Sequence, residues 1–221
     1  MNLNRDIFLV VSQFLDKYDI IQITALSKYF CDGKKNFLRD HKDICQTHII
    51  LNGKCTFYSN MLTNEITHMR FDDEYDDELD MLPSTITHVW FGKNFNKKLR
   101  NKLPYGVDTV IFGDRYNTKI TRNDFPSSVR TVIFGNDFDN NVDHVFPLGV
   151  EYIKFGNNFN QKIARCIPKS VRKIVFGKKF NQTIFDVFQL GIKHIEFGTG
   201  FNRSLKGNIP VTATYVMFNN V

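Results

Sequence analysis

The chain has 221 residues, of which 42% are hydrophobic and 24% charged, a balance that is typical of one or two folded domains and excludes simple disorder. No run approaches the ~18 apolar residues of a membrane-spanning helix, and the first residues lack the basic and apolar regions of a secretory signal. The net charge of +6 is uneven, because residues 1–82 carry a net charge of −5 and residues 83–221 a net charge of +11.

Residues 1–44 contain apolar residues at helical spacing and no repeat. Ile7, Val10 and Phe14 fall on one helical face, and Asp19 and Ser27 can cap a second and a third helix. Roughly 40 residues are too few to bury a core alone. The segment therefore predicts a three-helix module that packs on the first repeat, on a partner, or on both.

The same segment has an ordered pattern of leucine, isoleucine and aspartate. It reads Leu3-x-x-Asp6-Ile7, then Phe14-Leu15-Asp16, then Asp19-Ile20-Ile21, and ends with Leu26-Ser27-Lys28-Tyr29-Phe30. This pattern resembles the F-box, with Asn4 at the family's proline and Phe30 at its C-terminal tryptophan. The resemblance implies docking on a Skp-family adaptor, and hence on a cullin, through Leu3, Ile7, Leu15, Ile20 and Ile21.

The rest of the chain, residues 45–221, repeats a unit of about 21 residues. Each unit has a short alternating segment, Phe-Gly, an aromatic residue, Asn or Asp, an aliphatic residue and an apolar-Pro step. The Phe-Gly pairs begin at Phe91, Phe112, Phe134, Phe155, Phe176 and Phe197. Alternation predicts a strand, and a unit this short buries its apolar face only by stacking on its neighbours. We expect a leucine-rich-repeat-like solenoid of about nine short parallel strands, in an α+β protein overall.

Three features of the unit carry further expectations. The glycine allows a positive φ where the chain turns away from the strand, and stacked Asn side chains can form a ladder of hydrogen bonds. The second residue after the proline alternates between Ser or Thr and Gly, which indicates a double unit of about 42 residues. Examples are the pairs Thr85/Gly106, Ser128/Gly149 and Ser170/Gly191.

These columns resemble the FNIP repeat family of amoebae and giant viruses, over about 80% of the chain. The resemblance implies repeats similar to leucine-rich repeats. A left-handed or triangular β-helix is less favoured because the hexapeptide period is absent. An F-box followed by FNIP repeats is a known pairing in these organisms, so the two resemblances support each other. The four cysteines form no CxxC pair, which favours reduced thiols in the cytoplasm, or in the host cytoplasm or nucleus.

Candidate binding residues lie between the inward positions of each strand, because successive side chains point to opposite faces. Trp90, Ile111 and Ile133 would form an exposed apolar patch, which usually marks an interaction site. Alternatively, the N-terminal module or a second copy of the chain covers this face. The candidate target-binding residues are His68, Arg70, His88, Trp90, Ile111, Ile133, Tyr152, Lys154 and Val175.

No catalytic or metal-binding constellation stands out. His48, His68 and His88 share one column, but adjacent strands lie ~4.8 Å apart, whereas metal ligands converge on one centre. The seven acids of residues 72–80 lack the spacing of a calcium loop. We therefore expect a non-enzymatic protein without a metal or another cofactor.

Three hypotheses follow. In the first, the chain is the substrate-recruiting subunit of an SCF-type ubiquitin ligase, whose repeats hold an unknown target protein near the ligase. In the second, it is a repeat scaffold, or a self-assembling homo-oligomer, whose N-terminal helices cap the first coil. The weakest is a basic face for RNA or DNA, which a steep salt dependence would reveal.

Overall fold

The computed structural model describes residues 48–51 and 67–219. These residues form one nine-stranded parallel sheet in which every strand pairs with its neighbours in the sequence. Each coil of the chain therefore adds one strand, which confirms the predicted leucine-rich-repeat-like solenoid. The strands are β1 (His48–Leu51), β2 (His68–Phe71), β3 (His88–Trp90), β4 (Thr109–Ile111), β5 (Thr131–Ile133), β6 (Tyr152–Lys154), β7 (Lys173–Val175), β8 (His194–Phe197) and β9 (Tyr215–Phe218).

The predicted α+β class is wrong. The described residues are a parallel β-solenoid without a helix, and they therefore include no helix that is long and apolar enough to cross a membrane. The segments that return from one strand to the next are built from turns, because each contains turn-forming Asn, Gly or Asp residues and nearly every one contains a proline. The N-terminal module predicted for residues 1–44 lies outside the described residues.

Two columns of stacked aromatic rings fill the core. Rings of the first column, which includes Phe91, Phe112 and Phe134, are 5.3–5.7 Å apart. Rings of the second column, which includes Phe95 and Tyr116, are 5.9–6.2 Å apart. Since strands in a sheet are only ~4.8 Å apart, the coils spread with distance from the sheet. The sheet therefore lies on the inner side of a curve.

The glycine of each Phe-Gly pair is required because the coils pack closely there. The expectation that these glycines have a positive φ is wrong. Among the described residues only Gly191 and Gly207 are glycines with a positive φ. A Cβ atom at Gly135 would collide with the carbonyl oxygen of Gly113 in the preceding coil, and Gly156 meets Gly135 in the same way. Successive backbones thus touch at this point, where no side chain fits.

The predicted ladder of Asn side chains is confirmed. The backbone N–H of Asn117 donates to Asn96 Oδ1 at 2.8 Å, and that of Asn181 donates to Asn160 Oδ1 at 2.9 Å. Asp76 and Asp139 serve as acceptors in the same column, for the N–H groups of Asn96 and Asn160. Each coil therefore fixes the turn of the next one.

Candidate protein-interaction face

The sheet presents two columns of side chains on the surface opposite the aromatic core. The first column begins at His68 and His88, and the second begins at Arg70 and Trp90, which pair in register across β2 and β3. The residue between the two columns is buried in each described strand from β2 to β8, so the alternation predicted from the sequence is observed. We name the two columns together the sheet face.

The N-terminal end of the sheet face is aromatic. The His68 and His88 rings stack at 4.2 Å, and Trp90 stacks on both, at 5.6 and 5.8 Å. The Nδ1 atom of each histidine lies 2.7–2.9 Å from the hydroxyl of the threonine before it. Burial lowers the pKa of His88, and the nearby Asp108 carboxylate only partly offsets this effect. Burial therefore favours the neutral form of this stacked ring.

The middle of the sheet face is less exposed than predicted. Trp90, Ile111 and Ile133 are half-buried, because the side chains of neighbouring strands cover their flanks. Tyr152 and Lys154 are also half-buried. Val175 is buried with 8% exposure, since the longer side chains of Lys154 and Glu196 flank it in register. The candidate residues thus form one continuous strip in which Val175 contributes little surface.

The C-terminal end carries a charged cluster that the candidate list omitted. Glu196 Oε1 accepts hydrogen bonds from Lys173 Nζ and His194 Nε2, both at 2.9 Å. Burial raises the pKa of the Glu196 carboxyl, but the bonds and charges of Lys173 and His194 outweigh this effect and keep the pKa below its usual value. Lys173 also lies 5.6 Å from the Tyr152 ring centroid, and His194 stacks on Tyr215 at 4.1 Å. The signal was present in the sequence, since these residues continue the same two columns.

The remaining predictions concern a metal site, the acidic stretch of residues 72–80 and the adaptor-binding residues. Within residues 67–219 no group of three His, Cys, Asp or Glu side chains is placed to hold a metal ion. Of the acidic stretch, Asp76 and Glu78 pair with Lys97 and Arg100 of the next coil, at 2.9 and 3.5 Å. The adaptor-binding candidates Leu3, Ile7, Leu15, Ile20 and Ile21 lie outside the described residues.

The coils and the sheet face define a β-solenoid of the leucine-rich kind, and the coils between residues 95 and 189 match FNIP repeats. The FNIP Repeat family model matches residues 95–137, 138–179 and 159–189. The first two of these matches each span two coils, the length of the double unit.

Two known proteins resemble the chain in part. It is 42% identical over 40 residues to the FNIP repeat-containing protein R636 of Acanthamoeba polyphaga mimivirus, over 18% of this chain and 10% of R636. CroV588, whose crystal structure is described as a novel circular LRR protein structure, superposes with a TM-score of 0.73 at 32% identity. That match covers 78% of this chain and 27% of CroV588, so the chain corresponds to about a quarter of the CroV588 length.

Proposed function

We propose that the chain is a non-enzymatic scaffold that binds a partner protein on its sheet face. The observation that carries the proposal is the continuous strip from the stacked His68, His88 and Trp90 to the aliphatic Ile111 and Ile133. Aromatic and aliphatic side chains on a rigid sheet are preorganised for binding, and Trp is enriched among residues that dominate interface energies.

The test compares proteins captured from a eukaryotic lysate by the wild-type chain and by two variants. Trp90→Ala removes the largest ring of the sheet face, whereas Phe185→Ser removes an exposed ring, 71% accessible, that lies on a turn away from the strands. We expect a set of proteins that is lost with Trp90→Ala and kept with Phe185→Ser. If both variants capture the same proteins as the wild type, the sheet face is not the binding surface.

A finer proposal concerns the N-terminal segment. We infer from the order of Leu3, Ile7, Leu15, Ile20 and Ile21 in the sequence that residues 1–44 bind a Skp-family adaptor. The repeats would then bring a target protein to an SCF-type ubiquitin ligase, by raising its local concentration. The support is the residue pattern, together with the presence of FNIP repeats in the same chain.

This proposal is tested with purified components. The full chain is mixed with a Skp-family adaptor and cullin, and compared with the double variant Ile20→Asp/Ile21→Asp. We expect co-elution of the wild type with the adaptor and loss of co-elution in the variant, while Trp90→Ala still co-elutes. No co-elution of the wild type would leave the sheet-face scaffold as the function and remove the ligase role.

A further inference from the structure

A second surface, distinct from the sheet face, lies on the turn that follows the apolar-Pro step. Large apolar side chains are exposed there in every second coil from Tyr105 to Leu190: Tyr105 is 77% exposed, Leu148 87% and Leu190 72%. The smaller Val211, in the coil after Leu190, is exposed at the same position. The coils between them carry Ser127 and Lys169 at the same position. We name Tyr105, Leu148 and Leu190 the flank row. Large apolar side chains left in water at a fixed period indicate a surface that is covered by a partner.

A groove of about 720 Å³ adjoins the flank row between Ser127 and Leu148. The rings of Phe125 and Phe146, which belong to the buried core, line the groove, and Arg122 lies at its polar side. The groove therefore offers an apolar floor for one side chain and a cation beside it.

The groove lies where one repeat is a residue longer than the others. The step from Phe112 to Phe134 is 22 residues instead of 21. Asp124 in this longer coil is buried and accepts hydrogen bonds from the Thr121 N–H and hydroxyl, at 2.7 and 2.8 Å. These bonds hold the wider turn that separates Arg122 from the core.

The charge around the flank row is mostly positive. Five basic residues lie on these turns or just before the strands that follow them, together with the acids Asp108 and Glu151, and residues 83–221 have a net charge of +11. The basic residues are Arg122, Arg130, Lys169, Arg172 and Lys193. An acidic partner is therefore favoured electrostatically.

The spacing of the flank row matches an α-helix of a partner better than a β-strand. Two coils of a parallel sheet advance by roughly 10 Å at the strands, and seven residues of an α-helix rise about 10.5 Å. A β-strand does not match, because residues about 10 Å apart on a strand are three positions apart and point to opposite faces. A helix laid along the solenoid axis can place an apolar residue beside each member of the row.

We propose that the flank row and its groove dock an acidic amphipathic α-helix of a partner protein, with one apolar side chain in every seven residues. The apolar side chains pack beside Tyr105, Leu148 and Leu190, and one of them enters the groove over Phe125 and Phe146. Acidic residues on either side of this stripe face the basic turns. This site is separate from the sheet face and does not depend on the function proposed for it.

The test uses the full chain and a fluorescent peptide of three heptads, with Leu at one position and Ala at a second position of each heptad and Glu elsewhere. A control peptide has the same composition, with its Leu residues moved off one helical face. The variant is Leu148→Ser/Leu190→Ser. Val211→Ser is the matched control, because Val211 is 95% exposed at the same turn position but lies in the coil after Leu190, outside the two-coil period. Circular dichroism of each variant verifies its fold.

We expect the heptad peptide to bind and to gain helicity, and its Kd to rise at least tenfold, or ~1.4 kcal/mol, with the double variant. Val211→Ser and Trp90→Ala should leave its Kd unchanged. The proposal is overturned if the wild type does not bind the heptad peptide, if the control peptide binds equally well, or if the double variant binds as tightly as the wild type. Sedimentation as a dimer that the double variant dissociates would show that a second copy covers the row, which also overturns the proposal.

Discussion

Arg130 of one coil lies against Gly149 of the next. Its Nη1 atom donates to the carbonyl oxygens of Ser127 and Ser128, both at 3.0 Å, and a Cβ atom added to Gly149 would collide with it. Arg172 and Gly191 repeat this contact one double unit later. At these two places the alternation of Ser with Gly therefore reflects a pairing of two kinds of coil, one with an arginine and one with the glycine beside it, whereas Gly106 meets backbone oxygens instead.

The two kinds of glycine should respond differently to alanine. In Gly135→Ala the new methyl group meets the backbone of Gly113, which cannot move without separating two coils, so we expect a loss of ~3 kcal/mol or more in the free energy of unfolding. In Gly149→Ala the methyl group meets the end of the Arg130 side chain, which can move away, and lies 3.3 Å from the Ser127 carbonyl oxygen, so we expect a loss below ~1 kcal/mol. Urea denaturation measures both. Equal losses would show that backbone contact is not what requires the glycine column.

Asn160→Ala should destabilise the solenoid by removing an acceptor from the ladder. The Asn181 N–H, which donates to Asn160 Oδ1 at 2.9 Å, would lose its partner at a cost of ~1–3 kcal/mol. Asn160→Asp keeps an acceptor oxygen, as Asp139 does in the preceding coil, and should be much closer to the wild type. Asn158→Ala is the control, because the Asn158 side chain makes one surface bond, to Asp137. The urea midpoints of the three variants test this prediction. A destabilisation by Asn160→Ala no larger than that by Asn158→Ala would contradict the role of the ladder.

Tyr116→Phe should stabilise the chain. The Tyr116 hydroxyl is buried and has no hydrogen-bond partner among the described residues. Burial, followed by the Asp124 charge, raises the pKa of Tyr116 well above its ordinary value. Phenylalanine, which occupies this position in most coils, removes the unsatisfied hydroxyl, and we expect a gain of ~1 kcal/mol. Tyr75→Phe is the control and should give no gain, since the Tyr75 hydroxyl donates to the Glu78 carbonyl at 3.3 Å. A destabilised Tyr116→Phe would mean that the hydroxyl is satisfied in solution.

The stability of the chain should decrease at alkaline pH, partly through Cys166. Burial, together with the Asp143 carboxylate, raises the pKa of the Cys166 thiol from 9.0 to about 11. The folded state therefore holds this proton more tightly than the unfolded state. The resulting contribution to stability is complete below pH 9 and is lost as the pH rises through 11.

Urea unfolding at several pH values between 8 and 11 measures this effect. Cys166→Ser removes the titrating thiol and should reduce the slope of the unfolding free energy against pH over that interval. In addition, iodoacetamide should label Cys166 slowly at pH 8 in the folded chain and rapidly in urea, as read by peptide mass spectrometry. Rapid labelling of the folded chain would contradict the burial of this thiol.

The solenoid could be predicted from the sequence because its strands obey two short-range rules. The alternation around Val110 marks the strand, and the 21-residue recurrence of Phe-Gly fixes the register of each strand with the next. The role of the glycines could not be predicted, because contact between the backbones of Gly113 and Gly135 depends on two coils and on no local pattern. The helices in the predicted fold class were those expected in residues 1–44, and the described coils contain no helix.

The sheet face could be predicted in position but not in exposure. Alternation places Trp90 and Ile111 on the correct side of the strand, but their burial depends on the length of the side chains on adjacent strands. Val175 illustrates this, because its neighbours Lys154 and Glu196 are both longer. The column positions of Lys173, His194 and Glu196 could be read from the spacing, but the sharing of one Glu196 carboxylate oxygen by side chains of two strands could not.

The Asn ladder has a direction, since each coil offers an oxygen to the coil that follows and an N–H to the coil before it. A duplicated coil inserted into the array would bring one acceptor oxygen and one N–H donor, and would therefore continue the ladder on both sides. A single coil of the arginine kind inserted between the coils of Arg130 and Gly149, however, would place two coils of the same kind side by side and leave Arg130 without its glycine. Gene segments encoding two coils are therefore the natural unit by which such an array lengthens during evolution, and relatives should differ in length by multiples of about 42 residues.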